Sequence, residues 1–239
     1  MIRLVISGAA GKMGLRIIDL ASKDKDCEVV LALERPDHPG VNKTTCTTGI
    51  NITDDLGYIK DADVLIEFTS PEATVEHLEF ALKLKKAFVI GTTGLDEAQV
   101  KKIKDASSQI PIIYSPNMSI GVNVLFKLVE EASKRLGNRY CINIIEAHHV
   151  YKKDAPSGTA KKIVEIIEGE SCKVNDVKSI REGEIIGDHK VIFDGPFDRI
   201  ELMHSAKSRD IFAQGAIVAA KWLVGKKPGL YNMHDVIGK

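Results

Sequence analysis

Short apolar runs alternate with amphipathic stretches through the first half of the chain. Ile2-Arg3-Leu4-Val5-Ile6 is short, β-branched and soon closed by Gly8, which predicts a buried parallel strand. Apolar residues then recur at helical spacing over 13–22, and 27–33 is a second strand-like run. The pattern repeats with a strand over 63–68, a helix over about 71–85, a strand over 87–90, a helix over 96–107 and a strand over 112–114. Strands alternating with helices of this length predict βαβ units and an α/β fold on a Rossmann-type parallel sheet.

The pattern changes after about Met118. A long helix is predicted over 121–136, then a strand over 141–146 and a helix over about 159–168. Three strand-like runs, 177–181, 189–193 and 199–204, follow one another without helices and predict an antiparallel meander. The second region therefore reads as α+β. A last helix over about 210–224 ends at Gly225.

Composition narrows the class. The chain has 239 residues, 44% apolar and 28% charged, enough for one large domain or two modest ones with a real core. Its 33 Lys and Arg balance 33 Asp and Glu, so charge gives no reason to expect nucleic acid or a membrane as partner. Cys27, Cys46, Cys141 and Cys172 lie far apart without a CxxC pair, which favours reduced thiols over disulfides or a zinc knuckle. Glycines break the N-terminal apolar run before it takes a signal-peptide shape, and no run approaches the roughly 20 residues of a membrane span. A cytoplasmic protein is expected.

Two motifs carry candidate chemistry. Gly8-Ala9-Ala10-Gly11-Lys12-Met13-Gly14 follows the first strand and opens the first helix, where a dinucleotide fold sets its pyrophosphate on a helix N-terminus. Its spacing is GxxGxxG rather than GxGxxG, and glycines at such a turn also serve tight packing alone. Glu34 ends the second strand 20 residues after Gly14, where an acid meets ribose hydroxyls. Arg35 follows it and can clamp the 2′-phosphate of NADP, with Lys12 as a further positive charge. The acid and base together suit either cofactor, NADH or NADPH. Phe68-Thr69-Ser70-Pro71, Gly91-Thr92-Thr93-Gly94 and Ser115-Pro116-Asn117-Met118 all stand at C-terminal strand ends, the edge along which such sheets bind ligands.

The second motif is Glu146-Ala147-His148-His149-Val150-Tyr151-Lys152-Lys153-Asp154-Ala155-Pro156-Ser157-Gly158-Thr159-Ala160. Adjacent histidines rarely share one zinc ion, and no third ligand has metal-site spacing, so no metal is expected. Ordinary loop histidines are the plainer alternative. Against it stands Ser157, an N-cap type, followed by Gly158 and Thr159, whose amides would face outward at a helix start that attracts anions. Basic side chains beside such a start make a pocket for a carboxylate that must also receive a proton.

These motifs, with SPNMSIGVN over 115–123, HSAKSRDIFAQGAIVAAKWL over 204–223 and GLYNM over 229–233, resemble the 4-hydroxy-tetrahydrodipicolinate (dihydrodipicolinate) reductase family of lysine and diaminopimelate biosynthesis. The resemblance implies a dinucleotide-binding domain over 1–118, a substrate and oligomerisation domain over 119–211, and a segment over 212–239 returning to the first domain. It implies a homotetramer that reduces a cyclic dicarboxylate with NADH or NADPH, cofactor and substrate occupying different domains. By matched position, Gly8, Ala9, Ala10, Gly11, Lys12 and Met13 would hold the pyrophosphate, Glu34 the ribose and Arg35 the 2′-phosphate. Gly91, Thr92, Thr93, Ser115, Pro116, Asn117 and Met118 would line the nicotinamide half. His148 and Lys152 would handle the proton, and His149, Gly158 and Thr159 would bind substrate. Val150-Tyr151 departs from members that carry a further basic residue there, and no role passes to those two positions. An aspartate or homoserine dehydrogenase, or a non-catalytic NADP sensor, would share the glycine turn without needing the second motif.

Overall fold

A computed structural model describes residues 1–45 and 48–238; Cys46 lies outside the described residues. The chain divides into two compact units, one formed by Met1–Ser119 with Phe212–Lys239 and the other by Ile120–Ile211.

In the first unit the order is β1 (Ile2–Ser7), α1 (Lys12–Ala21), β2 (Cys27–Leu33), β3 (Ile52–Thr53), β4 (Val64–Glu67), α2 (Pro71–Lys83), β5 (Ala87–Ile90), α3 (Glu97–Ser107) and β6 (Pro111–Tyr114). The second unit runs α4 (Ile120–Leu136), β7 (Cys141–His148), α5 (Gly158–Gly169), β8 (Val174–Arg181), β9 (Asp188–Asp194) and β10 (Arg199–Ser205). Then α6 (Asp210–Leu223), β11 (Gly229–Tyr231) and a short α7 (Met233–Val236) complete the chain.

Seven parallel strands form the first sheet in the order β11-β6-β5-β4-β1-β2-β3. Period-two alternation sends Leu4 and Ile6 to one face, against Ile17 and Ile18 of α1 and Ala216 and Ala220 of α6. Val5 faces the other way, into a core with Leu65, Phe88 and Ile112 that α2 and α3 cover with Leu78 and Ile103. Burial on both faces explains why these strands read as continuous apolar runs. The chain leaves β1 toward β2 and returns to β4 on its other side, so the β1/β4 boundary is the switch point at which such sheets open a ligand crevice.

The second unit's sheet has the order β10-β9-β7-β8. The meander expected over 177–204 does not form. β9 and β10 are an antiparallel pair, and β9 runs antiparallel to β7, but β8 pairs with β7 in parallel. Helix α5 is the crossover between β7 and β8, a connection that parallel strands require and a tight turn cannot supply. One face of this sheet, with Ile142, Ile144, Val191 and Phe193, packs under Phe126 and Val129 of α4 and Ile163 and Ile167 of α5. Strand β7 also extends through His148, two residues beyond the expected end at 146.

Candidate active site

The glycine turn is shaped by two close approaches. Gly8 has φ +72°, and a Cβ on it would fall 2.6 Å from the Phe68 carbonyl oxygen at the end of β4. A Cβ on Gly14 would fall 2.1 Å from the Gly8 carbonyl oxygen, so α1 can seat against the turn only with glycine there. Within the turn, the amide of Ala9 donates to the Leu33 carbonyl at 3.0 Å, and that of Gly11 to the Gly8 carbonyl at 2.9 Å. Ala10 donates to Glu34 Oε2 at 3.0 Å. Gly11 is the N-cap of α1 and supplies no side-chain cap to the first-turn amides of Lys12 and Met13.

Glu34 is half-buried and its carboxylate also accepts the Arg35 amide at 3.1 Å, while the exposed Arg35 side chain reaches Asp37 at 3.3 Å. Gly8, Glu34, Arg35, Thr69 and His77 line a cavity of about 360 Å³ at the switch point. Beneath it the buried Glu67 accepts from Thr69 Oγ1 and pairs with His77 at 2.6 Å. A turn without bulk, an uncapped helix start and a lined cavity with an acid and an arginine at its rim fit a dinucleotide.

The other candidate cofactor residues sit at adjacent strand ends. Gly91 and Thr92 are buried after β5, and Thr92 Oγ1 accepts the Thr69 amide at 3.2 Å; Thr93 is exposed. The Ser115 amide donates to the Ile90 carbonyl at 3.1 Å, and its hydroxyl donates to the Asn117 carbonyl at 2.9 Å. Pro116 is exposed, whereas Met118 is buried in the core.

In the second unit, β7 carries the other motif. Ile142, Ile144, Glu146 and His148 alternate onto its covered face, so the apolar row turns polar at the strand's C-terminal end. The register sets Ser179 and His189 beside Glu146, Arg181 beside His148, and His204 of β10 beside His189. Glu146 is fully buried and meets Arg181 at 2.8 and 3.0 Å. Burial works to raise its pKa, but hydrogen bonds from Arg181, Ser179 and His148 overcome that and hold it at about 2. His148 Nδ1 lies 2.5 Å from the same carboxylate. Burial pushes the His148 pKa down, with Lys152 and Arg181 adding to it against the pull of Glu146. His189 is pushed down to about 4, by burial first and then by His148.

Ser157 caps α5 as its residue type predicts, its hydroxyl accepting the Ala160 amide at 3.2 Å. Gly158 is exposed, and a Cβ built on it meets no described atom within 4 Å. The Lys152 ammonium rests on Asp154 at 2.8 Å. His149 Nδ1 is buried without a hydrogen-bond partner among the described residues. His148, His149, Lys152, Gly158 and Thr159 thus lie in one continuous segment at the end of β7 and the start of α5. Sequence reasoning missed Glu146, Arg181 and His189 as parts of this site. The available signal was an acid in the same period-two row as Ile142 and Ile144. Among the described residues, no group of three or more His, Cys, Asp or Glu side chains is arranged to hold a metal.

Comparison with known proteins agrees along the whole chain. Residues 2–118 match the family model for the N-terminus of dihydrodipicolinate reductase, and residues 121–237 match that for its C-terminus. The 4-hydroxy-tetrahydrodipicolinate reductase of Aquifex aeolicus is 44% identical, covering 99% of this chain and 99% of its own. That of Syntrophus aciditrophicus is 40% identical over 100% of this chain and 99% of its own. A dipicolinate-bound dihydrodipicolinate reductase from a Paenisporosarcina species shares the fold, with a TM-score of 0.85 at 24% identity and 97% of each chain covered. With both halves matched in order and relatives this similar over their full length, the chain belongs to the dihydrodipicolinate reductase family.

Proposed function

We infer that the chain carries out its family's reaction, the NAD(P)H-dependent reduction of 4-hydroxy-tetrahydrodipicolinate to tetrahydrodipicolinate in lysine and diaminopimelate biosynthesis, with the residues above in the following roles. The uncapped amides of Lys12 and Met13 bind the pyrophosphate at the head of α1. Glu34, already held by Ala10, offers its carboxylate to the adenosine ribose. Arg35 exchanges its exposed contact with Asp37 for the 2′-phosphate when NADPH binds. Gly91, Thr92, Thr93 and the 115–118 turn line the nicotinamide half. A bound nicotinamide supplies the hydride.

The second unit binds and protonates the substrate. One ring carboxylate sits on the open start of α5 at Gly158 and Thr159, where the backbone amides and the helix dipole favour an anion. His149 Nδ1 completes that contact. The Lys152 ammonium, held nearby by Asp154, stabilises the charge that develops on the ring and then donates the proton. The observation that carries this reading is the orphaned His149 nitrogen in the same short segment as a cationic lysine and an unobstructed helix start.

The test is loss of NADH or NADPH absorbance on adding freshly made substrate, with dipicolinate as inhibitor. Substrate-dependent oxidation and inhibition competitive with substrate are expected. No oxidation with either cofactor removes the reading.

A homotetramer joined through the second unit's sheet belongs to the same proposal. The face of that sheet opposite α4 and α5 carries Ile145, Ile180 and Ile192 partly exposed and Met203 at 57% exposure. Such a face suits burial against another copy. Light scattering should give four chains; a monomer overturns it. A cytoplasmic location is proposed alongside. No helix among the described residues is long and apolar enough to cross a membrane, and Cys27, Cys141 and Cys172 are free thiols.

A further inference from the structure

Glu146 is a carboxylate on the covered face of β7 with 0% exposure, a position that is costly unless every lone pair is used. Arg181 donates Nη1 to Oε2 at 3.0 Å and Nη2 to Oε1 at 2.8 Å. The Ser157 amide donates to Oε1 at 3.3 Å, and His148 Nδ1 stands 2.5 Å from Oε2. Arg181 Nη2 also donates to the Asp154 carbonyl at 2.5 Å. One buried ion pair therefore holds both the imidazole of His148 and the turn that opens α5.

We propose that Glu146, kept charged by Arg181, is a positioning residue that fixes His148 as its neutral Nδ1–H tautomer, making Nε2 an acceptor and leaving Lys152 as the proton donor. The proposal rests on the placement of His148 and Lys152 in the reductase site. An ionised carboxylate only accepts, so the hydrogen between it and Nδ1 belongs to the ring. A neutral ring with its proton on Nδ1 carries the lone pair on Nε2. Four groups act on the ring's charge. Glu146 favours protonation, while Lys152 and Arg181 oppose it together with burial. His189 stands edge-on at 5.2 Å between ring centroids and is itself held neutral. Gly187 lies against Nε2, where a Cβ would come within 3.1 Å of it.

Glu146→Gln separates orientation from packing. Turning the amide nitrogen toward Oε1's partners would set it against two donors, Arg181 Nη2 and the Ser157 amide. Turning it toward His148 opposes Arg181 Nη1, which keeps its bond to the Ile180 carbonyl at 2.7 Å, while the Ser179 hydroxyl can rotate to suit either amide orientation. The amide then donates to Nδ1, and the ring proton moves to Nε2.

Nitrogen-15 NMR of the substrate-free wild-type protein near pH 7 should find His148 neutral with its proton on Nδ1. An Nε2–H ring or a doubly protonated ring overturns the proposal. In Glu146→Gln the tautomer should invert and kcat should fall roughly 10²- to 10⁴-fold, the range for a misplaced catalytic proton, with substrate KM little changed. Equal damage to kcat and KM, or an unchanged tautomer, would show that Glu146 only holds the pocket together. Should the variant not fold, the wild-type spectrum decides alone. The tautomer is read without substrate, whereas failure of the reductase assignment shows as absent turnover in the wild type.

Discussion

Replacing Gly158 by valine tests the substrate end of the site with little disturbance to the fold. A Cβ at this position meets no described atom within 4 Å, and its φ is not in the left-handed region, so the first added carbon meets no clash. Removing glycine also lowers the entropy of the unfolded chain, so stability should hold or rise by up to about 1 kcal/mol. The space it fills is where a carboxylate would approach the first amides of α5. Losing one charge-assisted hydrogen bond costs about 1.5–3 kcal/mol, which corresponds to roughly 10- to 150-fold in affinity. Substrate KM and the inhibition constant of dipicolinate should rise together by that factor, while NADPH affinity and the melting temperature stay near wild type. Steady-state kinetics with dipicolinate titrations, and a thermal melt, make the measurement. An unchanged KM in a well-folded variant would place the dicarboxylate site elsewhere, as would wild-type inhibition that competes with NADPH.

Lys152→Ala should lower kcat roughly 10²- to 10⁴-fold with little change in NADPH affinity; near wild-type turnover would pass the donor's role to the exposed neighbour Lys153. Arg35→Ala should weaken NADPH roughly 10- to 100-fold and NADH far less, because only NADPH carries the phosphate; equal losses by calorimetry would refute that role. His189 predicts a pH effect on stability. Its folded pKa of about 4 lies below the ordinary 6.5, so the unfolded state binds more protons between those values and stability falls as pH drops from 6.5 to 4. The stability of wild type minus that of His189→Gln should therefore shrink by about 3 kcal/mol over that window in denaturant titrations, and a constant difference would refute it.

Much of the first unit was legible in the sequence because its signals are local. Strands buried on both faces are largely apolar, and β1, β4, β5 and β6 each stand out as short runs closed by glycine, serine or proline. The glycine turn is likewise a local steric demand, which is why Gly8 and Gly14 could be found before their contacts were known. The two-residue β3 and the three-residue β11 were not legible. Each exists only because a neighbouring edge strand offers it hydrogen bonds, a partner no local pattern announces.

The second unit shows where local signals end. Runs over 177–181, 189–193 and 199–204 look alike in sequence, yet β8 joins β7 in parallel through α5 while β9 and β10 pair antiparallel. Strand pairing depends on which edge is open when the chain returns, and that is a property of the assembled sheet. The same holds for the site. Residue types alone marked His148, His149, Lys152 and Gly158, since titratable groups beside a helix-capping turn are rare enough to notice. Only the tertiary structure brought Arg181, 35 positions away, onto Glu146 at 2.8 Å, and so decided which carboxylate stays charged in the core. Residue types are written along the chain, but a buried charge depends on partners that only the folded sheet brings within reach.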